Sequence, residues 1–291
     1  MASLRTRFAP SPTGKLHLGH AMAAWVAKAL ADAGSGEFLL RHEDIDLTRV
    51  REECYDGIEQ DLRWLGLDWQ GTPLRQTTRI PAYDAALESL KEMEVAYPCF
   101  CTRREIHEMG APQGPEGPIY PGTCLEMSEE TRSEKLAAGL SHAWRLDAGR
   151  AACRAGRRLT FNDLMHGVAV VDESLLGDVV LARKDIGTAY HLAVVVDDAH
   201  QQITHVTRGE DLLHSTHVHR LLQELLGLPE PVYLHHPLVL DDSGKRLAKR
   251  HDALAISTMR EAGISPAEVI LRIQDPAVIR AITASTTSGN F

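Results

Sequence analysis

Apolar and polar positions along this chain fall into blocks that predict strand, helix and strand from the amino end onward. Arg5 to Ala9 is short and extended. His20 to Ala33 is alanine-rich and apolar until Gly34-Ser35-Gly36 stops it, which predicts a helix. Between them, Pro10-Ser11-Pro12-Thr13-Gly14 reads as a loop, because proline fixes φ and glycine relieves crowding. Glu37 to His42 reads as a second buried strand, completing a βαβ unit that favours a parallel sheet. Two amphipathic helices follow, Tyr55 to Leu65 and Ile80 to Met93, with a Gly/Pro loop between them.

The pattern changes between Tyr97 and Gly187. Cysteines, a Gly/Pro-dense loop from Gly110 to Gly122, and short alternating runs such as Val168 to Asp172 predict an inserted α+β subdomain. Leu192 to Asp197 and Gln202 to Arg208 look like strands again, and Leu212 to Leu226 is a strong helix ended by Gly227 and Pro229. Val232 to Leu240 leads through a polar turn at Asp241 to Gly244 into a basic segment. Short helices are expected from Ser265, with a frayed end from Ser285 to Phe291. The fold class is α/β.

Composition narrows this picture. Hydrophobic residues at 44% and charged residues at 24% are ordinary for a globular protein. No run approaches the roughly 18 apolar residues of a membrane span, and the first ten residues lack a signal-peptide pattern. A cytoplasmic protein with no membrane partner is expected, and a monomer. The five cysteines are odd in number, which disfavours a disulfide framework without an export signal. Cys99, Cys101 and Cys124 cluster, which points to a metal, whereas Cys54 and Cys153 read as small core residues.

A net charge of −9 argues against a surface coated for non-specific polyanion binding. Local basic clusters remain at Arg103 and Arg104, at Arg150, Arg154, Arg157 and Arg158, and at Lys245, Arg246, Lys249 and Arg250. Such patches on an acidic chain suit one structured RNA.

His17-Leu18-Gly19-His20 stands at the entrance to the first helix. Free backbone amides and the positive dipole end make that place a seat for phosphate. Two histidines three positions apart reach one phosphate chain, and Gly19 lets a nucleotide lie against the backbone. No G-x-x-x-x-G-K-[ST] phosphate loop is present. His214, His217, His219, His235 and His236 invite a second metal cluster, but without a matching carboxylate arrangement they read as helix-face and core residues.

Arg7-Phe8-Ala9-Pro10-Ser11-Pro12-Thr13-Gly14, followed by His17-Leu18-Gly19-His20 and by Arg41-His42-Glu43-Asp44-Ile45-Asp46, resembles the glutamate-specific class I aminoacyl-tRNA synthetases. Arg246-Leu247-Ala248-Lys249-Arg250 is similar to their second ATP-binding element, K-L-S-K-R, with arginine for the first lysine and alanine for the serine. Cys99-Phe100-Cys101 with Tyr120 and Cys124 resembles the zinc site of the glutamyl-queuosine tRNA(Asp) synthetases; His107 is an alternative fourth ligand to Tyr120. The large C-terminal anticodon-binding domain of glutamyl-tRNA synthetases is not expected here, since the chain ends soon after the basic segment.

The resemblance implies a Rossmann-like parallel sheet, with the nucleotide-binding core in 1–96 and 188–230. It also implies a zinc-containing insertion over 97–187 and a basic-loop and helical segment over 231–291. It implies that L-glutamate and ATP, with Mg2+, form an adenylate that is passed to tRNA(Asp) carrying queuosine. In that scheme His17, His20 and Lys249 are catalytic, and Gly19, Lys245 or Arg246 assist ATP binding. Arg7 holds the glutamate side chain, with Ser11 and the Ala9 backbone beside it. Glu43 receives the ammonium, and Tyr190, placed at a strand entrance, and Arg208 complete the pocket. Two readings remain beside it: a truncated or discriminating glutamyl-tRNA synthetase charging a tRNA 3′ end, and a non-catalytic zinc-stabilised RNA-binding relative.

Overall fold

The structure is a computed structural model that describes residues 3–240 and 255–287. Lys245, Arg246 and Lys249 lie outside the described residues.

The chain opens as a βαβ unit of β1 (Arg5–Phe8), α1 (Leu18–Ala33) and β2 (Glu37–His42). The two strands run parallel, with Arg5 opposite Glu37 and Phe8 opposite Leu40. Small side chains let α1 sit close on this sheet: Ala21, Ala24 and Ala27 are buried, and the Thr6 hydroxyl donates to the Ala27 carbonyl at 2.8 Å. The return turn depends on Gly36, where an added Cβ would lie 2.1 Å from the Leu4 carbonyl oxygen. Next come α2 (Glu52–Trp64), the short parallel strand β3 (Leu74–Arg75) beside β2, and α3 (Ile80–Glu92). Ile58, Leu62, Leu30 and Leu40 meet in one core between these layers. Each such side chain contributes about 1.5–3 kcal/mol by leaving water.

Between the core halves run β4 (Ala96–Cys99), α4 (Arg103–Glu108), the hairpin strands β5 (Gln113–Gly114) and β6 (Gly117–Pro118), α5 (Glu129–Ala137), β7 (Ala143–Leu146) and α6 (Ala148–Ala155). They are followed by β8 (Thr160–Asp163), β9 (Gly167–Val170), β10 (Val180–Arg183) and β11 (Gly187–Thr188). Strands β4, β7, β10 and β11 form an antiparallel sheet, whereas β8 and β9 do not join it. Instead β8 pairs in parallel with β13 of the second core half.

That half contains α7 (Tyr190–His200), β12 (His205–Gly209), α8 (Ser215–Leu225) and β13 (Val232–His236), then α9 (Ile256–Glu261), α10 (Pro266–Ile273) and α11 (Pro276–Thr287). Strands β12 and β13 are parallel, and the Thr204 N–H donates to the Arg5 carbonyl at 3.0 Å, joining this sheet to β1. No described helix is long and apolar enough to cross a membrane.

Three expectations need correction. Leu192 to Asp197 is not a strand but the middle of α7. The helix is buried nearly all round, from His191 to Val195, so its sequence lacks the amphipathic period and its valine run imitates a strand. Tyr190 accordingly opens a helix rather than a strand. Cys153 is exposed on α6, not a core residue, and Cys54 is only half-buried.

Burial also sets an acid response. It pushes His205 down to about 4, and it is the foremost cause holding His219 well below its ordinary value of 6.5. Below about pH 6.5 the unfolded chain takes up protons that the folded chain does not, so stability falls as pH drops from there toward 4. A urea midpoint measured at about pH 5 should be clearly lower than one at about pH 7.5, with little change between pH 7 and 8.

Candidate active site

The crevice forms at the carboxyl ends of β1 and β12, where β1 has β2 on one side and β12 on the other. Ligands of open α/β sheets bind at this kind of switch point, beyond the carboxyl ends of the strands. A cavity of about 670 Å3 occupies it, lined among others by Arg7, Ala9, Ser11, His17, His20, Glu43, Tyr190 and Arg208. These residues come from β1 and its loop, the start of α1, the end of β2, α7 and β12. Backbone bonds hold the loop to the end of β2 and the start of α2: Glu43 N–H donates to the Pro10 carbonyl and Arg51 N–H to that of Pro12, each at 3.0 Å.

Helix α1 starts at Leu18, ahead of the expected His20, with His17 as its N-cap. The His17 N–H donates to His20 Nδ1 at 3.1 Å, which places the proton of the neutral His20 ring on Nε2. Gly19 is exposed, and an added Cβ there would meet nothing within 4 Å, so its backbone is open to a ligand. The described chain resumes after the basic segment at Ala255, which pairs with His17, and the Ile256 N–H donates to the Leu16 carbonyl at 2.8 Å.

Below the cavity floor lies a buried charge cluster that sequence reading missed. Asp198 on α7 accepts from Arg7 Nε at 2.8 Å and from Arg41 Nη1 at 2.7 Å. Burial alone would raise the Asp198 carboxyl, but the two guanidinium groups hold it below the usual range. Arg7 also donates to the Thr207 carbonyl at 3.1 Å, leaving part of its five-donor fork for the cavity. Glu43 lies 3.5 Å from Arg41, and burial raises its carboxyl although Arg41 and Arg7 pull the other way. The neighbouring Asp197 is taken by Tyr83, Gln76 and Arg79. Adjacent aspartates in an otherwise apolar segment were the available signal.

Arg208 is cradled differently. It donates to His235 Nε2 at 3.1 Å, to the Tyr190 hydroxyl at 3.2 Å and to the Thr216 hydroxyl at 2.8 Å, with His219 Nδ1 at 3.1 Å. Every one of these partners is neutral or able to be so, and among the described residues no carboxylate forms an ion pair with Arg208. A buried cation facing a cavity without a counter-ion is a site for an anion. His219 and His235 thus serve as acceptors for Arg208. They join no metal group, since among the described residues the one such group is Cys99, Cys101 and Cys124.

In that group the three sulfur atoms lie within 4.8 Å of one another. The Tyr120 hydroxyl is 3.3 Å from Cys101 Sγ and accepts the Cys124 N–H at 2.9 Å, while Phe100 N–H donates to Cys124 Sγ at 3.4 Å. Three thiols and a phenol oxygen fit the number and kind of donors that tetrahedral zinc takes. His107 is exposed on α4 and outside the group. Of the arginines on and after α6, Arg150 pairs with Glu94 and Arg157 with Glu224, whereas Arg154 and Arg158 are exposed.

With this geometry in hand, the comparisons with known proteins are specific. The family described as tRNA synthetases class I (E and Q), catalytic domain, matches residues 3–275. The chain is 48% identical over 273 residues to a glutamyl-Q tRNA(Asp) synthetase of Rhodobacter capsulatus, spanning 91% of this chain and 97% of that one. It is 45% identical to the protein of the same name from Nocardia farcinica, over 92% of this chain and 83% of the relative. Among solved structures, a glutamate tRNA ligase from Elizabethkingia meningosepticum in complex with its amino acid superposes with a TM-score of 0.70 at 30% identity. That likeness covers 86% of this chain but 52% of the ligase, so the chain spans about half its length.

Proposed function

The chain belongs to the class I tRNA synthetases of the glutamate and glutamine group, with their α/β parallel-sheet fold, and from that premise we propose that it activates L-glutamate with ATP and transfers the glutamyl group to the queuosine base of tRNA(Asp). The observation that carries the reading is the single cavity gathering Arg7, Glu43, Tyr190, Arg208, His17 and His20. Arg7, Arg41 and Arg208 outnumber the nearby Asp198 and Glu43, so a ligand of net charge −1 balances the site. Glutamate has that charge. Its side-chain carboxylate meets Arg7 and Arg208, with Tyr190, Ser11 and the Ala9 backbone beside it, and its ammonium meets Glu43.

In this reading the glutamate α-carboxylate attacks the α-phosphate of ATP and pyrophosphate leaves. Positioning and charge stabilisation supply the rate, with little covalent help. His17, His20 and the α1 amino end face the phosphate chain. Lys249, with Lys245 or Arg246 assisting, adds positive charge to the triphosphate. Mg2+ bound with ATP supplies further positive charge on the phosphates.

Cys99, Cys101, Tyr120 and Cys124 hold a structural zinc ion, which fixes a segment with a small core of its own. Cys101→Ser should lower zinc content from about one per chain to near zero by elemental analysis and speed proteolysis between residues 97 and 125. Wild-type protein that binds no zinc would remove the assignment. For the activity itself, labelled glutamate supplied with ATP should enter tRNA that carries queuosine and leave queuosine-free tRNA unlabelled. Label on the queuosine-free tRNA would instead point to charging of a 3′ end.

A further inference from the structure

Beside the first cavity lies a second of about 580 Å3, and the two share Ser11, Thr13, Glu43 and Tyr190 as a common wall. The two cavities therefore adjoin along that wall. The second cavity is bordered by the β5–β6 hairpin, which lies in the segment between Cys101 and Tyr120. Four carboxylates are among its described lining residues: Glu43, Asp46, Glu116 and Asp178.

Their partners separate them. Asp46 is held by Arg183 at 3.2 Å and by the Thr48 hydroxyl at 2.6 Å. Asp178 accepts the Tyr97 hydroxyl at 2.5 Å and the Ala148 N–H at 3.0 Å. Glu43 sits beside Arg41 and faces the first cavity as well. Glu116, at the hairpin tip, is the one of the four paired to a histidine. Its Oε2 is 3.3 Å from His191 Nε2, and its Oε1 accepts the Ser215 hydroxyl. His191 Nδ1 lies 3.2 Å from His219 Nε2, and the other nitrogen of His219 faces Arg208. The hairpin thus brings a carboxylate, through a chain of two histidines, against the arginine of the first cavity.

Resting on the reading of the first cavity as the glutamyl-adenylate site, we propose that the second cavity receives the acceptor diol and that Glu116 accepts the proton of the attacking hydroxyl. The hydroxyl oxygen bonds to the acyl carbon of the adenylate while its proton passes to the Glu116 carboxylate. The bond from that carbon to the phosphate oxygen breaks, and AMP leaves with the electron pair. The products are the glutamyl ester and AMP, and Glu116 returns its proton to water in the open cavity. Burial would raise the Glu116 carboxyl, but hydrogen bonds from His191 and Ser215 hold it below its usual range, so it enters the step ionised.

Glu116→Gln keeps the size of the side chain and its bond to Ser215 but removes the base. Two half-reactions of the full-length protein separate the outcomes: glutamate-dependent ATP–pyrophosphate exchange, and single-turnover transfer of labelled glutamate to tRNA bearing queuosine. Exchange should stay within about threefold of wild type, because Glu116 does not line the first cavity. The maximal transfer rate should fall by about 10²–10⁴, with the half-saturating tRNA concentration within about threefold. Transfer at the wild-type rate overturns the proposal. Equal losses in exchange and transfer, or a loss confined to tRNA affinity, also overturn it by showing that Glu116 is a structural latch. Failure of the wild type to exchange contradicts the adenylate reading itself, which is a different result.

Discussion

Arg7→Ala should lower glutamate-dependent ATP–pyrophosphate exchange by about 30- to 5,000-fold, with the fold retained. Arg7 is buried at the cavity floor, and its orientation is fixed by Asp198 and the Thr207 carbonyl rather than by the ligand. Losing one partner of a desolvated charge pair costs about 2–5 kcal/mol, largely because the other charge is left without compensation. In the variant that uncompensated group is the substrate carboxylate. Asp198 keeps Arg41 as a partner at 2.7 Å, so the protein itself is spared the same fate. Exchange measured over a wide glutamate range, with a circular-dichroism melt as control, checks both halves. Arg7→Lys should fail nearly as badly, since a point charge replaces a fork. Unchanged exchange in Arg7→Ala would show that the substrate pocket is misplaced.

The second large effect falls on stability. Asp198→Ala leaves the Arg7 and Arg41 guanidinium groups, with side chains 5% and 0% exposed, without the carboxylate they share. Removing one member of a buried ionic group typically costs about 3–5 kcal/mol, and here Arg7 loses its ion-pair partner while Arg41 keeps Glu43 at 3.5 Å. The expected outcome is an unfolding free energy lowered by that amount, read as a lower urea midpoint at unchanged slope, with exchange lost as Arg7 turns away. Asp198→Asn, which keeps an acceptor oxygen without the charge, should fall between wild type and Asp198→Ala. A loss below about 1 kcal/mol in Asp198→Ala would mean that the cluster does not organise the cavity floor.

What the chain's pattern reveals unaided follows from how local each signal is. The first strand, the proline loop, the alanine-rich helix and the second strand are specified by neighbours in sequence, and they appear at or within a few positions of where they were expected. The loop residues of the candidate site are therefore also legible. Helix α7 is not, because its surroundings are apolar on every side and erase the period that marks a surface helix. Tyr190 consequently reads as the entrance to a strand, whereas it opens α7 and lines the cavity. Asp198 and Arg41 are invisible as a pair in the sequence, since 157 positions separate them and their meeting leaves no local trace. The histidines of α8 and β13 read as packing residues; two of them turn out to hold Arg208 in place. Arg150 and Arg157 read in the sequence as part of a basic cluster suited to RNA, yet each faces a glutamate distant in sequence.

The central claim is that one cavity at the switch of the sheet holds glutamate joined to AMP. The most direct measurement is a crystal structure of the protein with a non-hydrolysable glutamyl-adenylate analogue. The analogue's side-chain carboxylate should lie within hydrogen-bond distance of Arg7 and Arg208, its ammonium at Glu43, and its phosphate mimic against His17, His20 and the amino end of α1. An analogue seated elsewhere, or one whose carboxylate turns away from both arginines, would contradict the account.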